Sequence, residues 1–452
     1  MLLWLIACTG EKSKTVDPPS LSVALSDTEV RAGQVNSSDA LFGGTSAEGQ
    51  IGDYKLYNNK AQFIIQNVRP SAYYIAQGGG LLDADLVRPS GEQGRDIIDE
   101  HTPMAGFGRI LNPTSVSVVD DGESGEAVVR VLGNATAFEL LEGAVENENM
   151  IPDKTIEFQV DYSLLPNSSL LKIETTIRWQ DEAFSFQPAN VILLGKEVID
   201  IWNPGGGFKG ESNNQWYGAV SHQNEVSLGL FPSADTFSYS VIQPLLADAT
   251  PAMSGFDEMV DFEMGTVHTF THYVGVASDL ATLTDQWYGM QEVTTEEVAG
   301  TVTSGSEALA GARVRLFDSD TDTQITMAIS DENGTWSAEV PTGVSVSYQV
   351  SGRGNGIFYD LPRSAGWYGM YADTDVTNGL YASLQESSPD TSFAFAEGYG
   401  VADLNTDTLP MPSTLQVSLA DGGTGMVLVD RLDTDNQSSL EQYPSRPNGF
   451  QA

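Results

Sequence analysis

Four histidines and one cysteine are the main metal-binding and nucleophilic candidates in this chain of 452 residues. His268 and His272, in HTFTH, have the i, i+4 spacing that holds zinc when it falls on a helix. Their flanks, TVHTFTHYVGVA (266–277), alternate as a strand. The two imidazoles then share a face but stand about 13 Å apart along it, too far for one ion to bridge. The Glu of an HExxH motif is also missing. His101 in DEHTP and His222 in SHQN read as isolated histidines in polar loops. Asp318, Asp320 and Asp322 in DSDTD are spaced like an EF-hand loop, but Thr323 takes the glycine position and Ile329 the bidentate-glutamate position. That excludes the loop and leaves a solvated hairpin tip or, at most, a weak calcium site. No GxSxG elbow, Walker A sequence or GxGxxG fingerprint occurs. Gly78–Gly80 and Gly205–Gly207 lack a following Lys-Ser/Thr and read as tight loops. Among 62 acidic residues, no carboxylate pair stands out as catalytic. The sequence therefore yields no catalytic or metal-ligand constellation and implies no cofactor.

One pattern exceeds chance. Trp-Tyr-Gly occurs at 216–218, 287–289 and 367–369, where composition predicts about 0.02 occurrences. Exposed indole faces stack on sugar rings, and glycine loops such as WNPGGGFKG (202–210) lie close by in sequence. On that reading Trp202, Trp216 and Trp287 are the candidate ligand-binding residues. The competing reading buries them as aromatics that close strand ends, with Gly ending each strand.

The elements that must position these residues are strands. GDYKLYNNKAQFIIQNV (52–68) alternates on both sides of Asn58-Asn59, and SVSVVDDGESGEAVVRVLG (115–133) does so around Asp121-Gly122. KTIEFQVDYSLLPNSSLLKIETTIRWQ (154–180) is a third pair, and 266–277 a further strand. Helical periodicity is confined to DLATLTDQWYGM (279–290). The fold class is all-β: a large sandwich over 39–294, a small sandwich over 295–354, and a β-rich segment over 355–452, read as an incomplete third domain. Strands are expected there at 414–420 and 425–432. A net charge of −41 opposes binding to nucleic acid or anionic headgroups. A single cysteine forms no internal disulfide, so these domains rest on hydrophobic cores.

That cysteine has a distinctive context. Residues 2–8 read LLWLIAC and are followed at once by polar TGEKSK. Leu5-Ile6-Ala7-Cys8 resembles the lipobox of bacterial lipoprotein signals. The resemblance implies a signal peptide over 1–7, a diacylglyceryl group on the Cys8 thiol, and an exported, lipid-anchored protein of the bacterial cell envelope. No Lys or Arg precedes the apolar run, a departure that raises the expectation of further residues upstream of Met1. Residues 8–38, rich in Ser, Thr, Asp and Pro, read as a tether that reaches on the order of 100 Å when extended.

Residues 298–354 carry a second resemblance, through Gly300, Gly311-Ala312, Val314, Ser330-Asp331, Asn333-Gly334, Trp336, Pro341, Gly343 and Tyr348. They are similar to the carboxypeptidase regulatory-like domain, a small transthyretin-like sandwich within a carbohydrate-binding-like superfold. The resemblance implies a non-catalytic module beside a larger domain. Asn333-Gly334 turns the chain where φ must be positive, and Trp336, Val340, Val344 and Val346 supply a packed face. Residues 40–295 also resemble the non-catalytic N-terminal region of lipoproteins in the CehA/McbA group of metal-dependent hydrolases. IGDYKLYNNKAQFIIQ, GGGLLDADLVRP, VDYSLLPNSSLLKIETTI and IWNPGGGF carry that likeness. That group's metal-binding PHP domain has no counterpart, since no His-x-His occurs. The expected function is a lipid-anchored binding module for neutral glycan. A protein-binding surface scaffold and the accessory half of a metallohydrolase are the alternatives.

Overall fold

The structure, a computed structural model, describes residues 20–351 apart from 44–46, 72–74, 91, 93, 107, 139–153, 195–198, 208–214, 222–225, 234–237, 243–251, 305–306 and 309. It also describes strands at 413–418 and 424–429. Cys8, His222 and the Trp-Tyr-Gly at 367–369 lie outside the described residues.

β1 (Arg31–Gln34), β2 (Tyr54–Tyr57), β3 (Ala61–Ile65) and β4 (Leu81–Leu86) pair in sequence order as a four-stranded sheet. The chain continues through β5 (Ile98–Ala105), β6 (Arg109–Asp121), β7 (Ala127–Ala137), β8 (Ile156–Leu164) and β9 (Leu170–Trp179). Then come the short β10 (Phe184–Phe186), β11 (Pro188–Leu194), β12 (Ile199–Trp202), β13 (Tyr217–Ser221) and β14 (Val226–Pro232). β15 (Ser238–Ile242), β16 (Ala252–Phe256), the short β17 (Val260–Phe262) and β18 (Val267–Ala277) follow. β10 pairs with β17, and the other strands form one twelve-stranded antiparallel sheet, β12-β13-β14-β18-β9-β8-β7-β6-β5-β11-β16-β15.

Period-two alternation supplies the facing core. Leu56, Phe63 and Leu81 of the smaller sheet meet Val129, Phe158, Tyr162 and Ile173 of the larger. The large sheet also curls, so β4 touches both β5 and β18 although β9, β8, β7 and β6 separate those two in its order. The expected all-β sandwich is therefore present, and the hairpins at Asn58-Asn59 and Asp121-Gly122 lie where the sequence puts them.

Helix α1 (Leu280–Met290) follows β18. Asp279 caps it, accepting from Thr282 N–H at 2.9 Å. The smaller module then comprises β19 (Thr295–Thr301), β20 (Thr303–Ser304), β21 (Glu307–Ala308), β22 (Arg313–Asp318), β23 (Thr323–Ile329), β24 (Thr335–Pro341) and β25 (Val346–Ser351). β19 pairs with β24, β20 with β21, and β23-β22-β25 form a three-stranded sheet. Gly334 turns the chain between β23 and β24 at φ +72°. Val302, Val314, Leu316, Trp336 and Val340 form its core, which also takes in Ala281 of α1. Val344 departs from the expected packed face and is half-buried, lining a cleft described below. β26 (Ser413–Ser418) and β27 (Thr424–Val429) pair as a hairpin close to the strands expected there.

Helix α1 ties the two parts together. The second carboxylate oxygen of Asp279 accepts from Ile329 N–H at 3.2 Å, and the Thr284 and Thr326 hydroxyls lie 2.8 Å apart. Asp285 accepts from Glu339 N–H at 3.3 Å. On the other side, Gln286 Nε2 donates to Ser169 Oγ at 2.8 Å and to the Val276 carbonyl at 3.2 Å. A helix whose polar groups bond both ways fixes the module against the large sandwich.

Candidate functional site

The three tryptophans singled out by sequence come together at this junction. Trp202 ends β12 opposite Gly218 of β13, and Trp216 immediately precedes β13. Their rings lie 4.9 Å apart, Trp216 is 4.9 Å from Phe231, and Trp287 of α1 stacks on Phe231 at 6.0 Å and 15°. Trp216 and Trp287 are 6.4 Å apart. This geometry corrects the exposed-platform reading: Trp202 and Trp216 are each 1% exposed. They pack with Leu280, Leu283 and the module's Met327, because sheet, helix and module all converge there. Trp287 is half-buried and alone keeps part of its surface open.

The Gly of the first Trp-Tyr-Gly has a packing role. A β-carbon at Gly218 would lie 3.1 Å from Leu280 Cδ1 and 3.3 Å from Trp216 Cζ3, so a side chain there would push α1 away. Gly289 meets nothing within 4 Å, so the two described copies of the motif share no common structural cause.

Beside this cluster, between sandwich and module, lies a cleft of about 260 Å³. Trp202, Trp216, Trp287, Tyr288, Ile325 and Val344 give it apolar and aromatic walls, while Gln215, Thr323 and Gln324 add hydrogen-bonding groups. Asp318 is the only charged residue among its described lining residues. Burial, with the Asp285 carboxylate near, pushes the Tyr288 phenol up to about 12, so it stays a neutral hydroxyl. The indole N–H of Trp202 has no hydrogen-bond partner among the described residues. An aromatic cleft with a few polar groups suits a small, uncharged, ring-bearing ligand.

The acidic DSDTD stretch proves to be the β22–β23 turn, with Asp320 N–H bonded to Asp318 Oδ1 at 2.8 Å. Asp320, Thr321 and Asp322 are exposed, as a solvated hairpin tip requires. Among the described residues no cluster of three or more His, Cys, Asp or Glu converges as a metal site.

The histidines differ from the sequence reading in one respect. His268 and His272 do share a face of β18, with Phe270 between them at 6.4 Å from each ring. His268 Nε2 lies 2.6 Å from Asp257 Oδ2. His101, however, is no loop residue: it sits in β5, 1% exposed, with Nε2 3.2 Å from His272 Nε2. Burial lowers the His101 imidazole to about 3, and burial followed by the neighbouring His101 holds His272 well below its ordinary value. Both rings are neutral, so one facing nitrogen donates to the other. Closed off from solvent, the pair has no route for general acid–base exchange. Sequence missed it because every residue of β5 is buried, which erases the alternation that marks a strand.

No family model matches the chain. No curated protein matches it either. Several solved structures are similar at low identity. A TPR-domain containing protein from Parabacteroides distasonis is 10% identical, with a TM-score of 0.33, over 50% of this chain and 47% of that one. The chain thus spans about half the length of that protein. A galactose mutarotase related enzyme from Lactobacillus acidophilus is 11% identical, with a TM-score of 0.28, over 50% of this chain and 97% of the other. Heparan sulfate lyase HepC from Pedobacter heparinus is 8% identical, with a TM-score of 0.31, over 68% and 42% respectively.

Proposed function

We propose that this protein is a lipid-anchored binding protein of the bacterial cell envelope, and that it takes a neutral glycan in the cleft between sandwich and module. The observation that carries the reading is the cleft lining: aromatic walls, amides and hydroxyls and, among the described residues, a single carboxylate. Sugar rings offer C–H faces to aromatics and hydroxyls to amide and carboxylate groups. The net charge of −41 repels sulfated or uronic polymers at low salt, which favours uncharged ones. Anchoring rests on Leu5-Ile6-Ala7-Cys8. The protein's task on this reading is binding, without catalysis of its own.

Two measurements test it. Screening the full chain on an array of neutral glycans should give hits that weaken in Trp287→Ala, whose ring is the accessible one. Absence of any neutral-glycan hit removes the assignment and brings protein binding forward. Cys8→Ser should shift the protein out of the membrane fraction; unchanged partitioning removes the anchor.

A further inference from the structure

Inside the large curled sheet, β5 and β11 face β9 and β18, and two contacts bridge these walls. His101 Nε2 meets His272 Nε2 at 3.2 Å. Asp257, whose N–H donates to the Pro188 carbonyl at the start of β11, meets His268 Nε2 at 2.6 Å. Register then places one polar side chain midway along each wall. On β11, Asn190 lies two residues from Pro188 and two from Ile192, the partner of His101. On the other wall Thr175 pairs with Phe270, which stands between His268 and His272. Both side chains point inward, since Asn190 shares its face with the core residues Ile192 and Leu194, and Thr175 shares its face with Ile173 and Ile177. Asn190 and Thr175 therefore face each other between the two bridges, with Phe270 alongside.

Both residues are 0% exposed. The amide nitrogen and oxygen of Asn190 and the hydroxyl of Thr175 have no hydrogen-bond partner among the described residues, and His101 Nδ1, at one end of the span, has none either. Buried polar atoms left bare are costly, and native interiors satisfy nearly all of them. The walls also leave room. An imidazole carries Nε2 three bonds beyond Cβ, whereas Asn reaches two and Thr one. Where two imidazoles just meet, Asn and Thr stop short of each other by roughly 6 Å, the span of two hydrogen bonds through one water. An amide and a hydroxyl together offer donors and acceptors. An ion would satisfy only one kind, and water satisfies both.

We infer that the curled sheet holds ordered internal water between Asn190 and Thr175, bounded by the His101–His272 and His268–Asp257 contacts. The water accepts from the Asn190 amide or donates to it, and bonds the Thr175 hydroxyl on the opposite wall. The ligand class is thus water, held as part of the fold.

A high-resolution crystal structure of the full chain should show water within hydrogen-bonding distance of Thr175 Oγ1 and of the Asn190 amide. A dry gap, or direct contact between the two side chains, overturns the inference. Thr175→Val, nearly isosteric with the wild type, supplies a second readout. If the hydroxyl bonds to water, the variant should melt about 2 °C lower, because the water loses a partner. In a dry site the same change removes a bare buried hydroxyl, so a melting temperature that stays constant or rises overturns the inference as well.

Discussion

Glu100→Gln should make the chain less stable in acid and more stable at alkaline pH. Glu100 is 3% exposed on β5, with one carboxyl oxygen accepting from the Ser71 hydroxyl and the other from Ile75 N–H at 2.7 Å. Burial, the largest cause, pushes its carboxyl from 4.5 up to about 7, against the lowering effect of those two hydrogen bonds. The folded chain therefore binds this proton more tightly than the unfolded chain. The resulting stabilisation is complete below pH 4.5 and is lost as pH rises to 7. At 1.36 kcal/mol per pH unit, that difference corresponds to ~3 kcal/mol. Gln cannot ionise, and its amide N–H₂ stands where the protonated acid has an O–H beside Ser71, a less well-fitted hydrogen bond that costs about 1 kcal/mol. The variant should thus be about 1 kcal/mol less stable than wild type at pH 4, and about 2 kcal/mol more stable at pH 8. Urea unfolding of both chains across that range measures the difference, and titrations common to both largely cancel. A difference that stays flat between pH 4 and 8, within about 0.5 kcal/mol, would refute the claim that Glu100 is held protonated by burial.

Trp216→Ala should lose about 3–5 kcal/mol in denaturant unfolding, since the ring is enclosed by Trp202, Phe231 and Trp287. Trp287→Ala, at a half-buried site, should lose distinctly less; equal losses would contradict the burial contrast. His101→Gln should flatten the stability profile below pH 6.5. A folded-state imidazole lowered to about 3 gives stability present above 6.5 and lost as pH falls toward 3, and an unchanged acid limb would rule that out. Gly334→Val, forced into φ +72°, should lower the melting temperature through a loss of about 1 kcal/mol or more, and a neutral effect would discount the positive-φ turn.

The local devices of this fold are written in short stretches of sequence. Asn58-Asn59, Asp121-Gly122 and Asn333-Gly334 turn the chain between alternating runs, and Asp279 starts the helix that carries Trp287. Each depends on residues a few positions apart, so turn chemistry, period-two alternation and a capping side chain suffice to place it. The same locality located the acidic DSDTD stretch at a hairpin tip and set His268 and His272 too far apart for one ion.

Tertiary structure decided what those elements enclose. His101 and His272, 171 residues apart, meet only because the large sheet curls. Sequence singled out Trp202, Trp216 and Trp287 and left exposed and buried readings side by side; the choice depends on a helix and a module packing over the end of the sheet. The cleft joins residues from β12, α1 and the β22–β25 sheet. Hydrophobic burial is non-directional and rewards any partner that excludes water, so an apolar side chain carries no record of which distant surface will cover it.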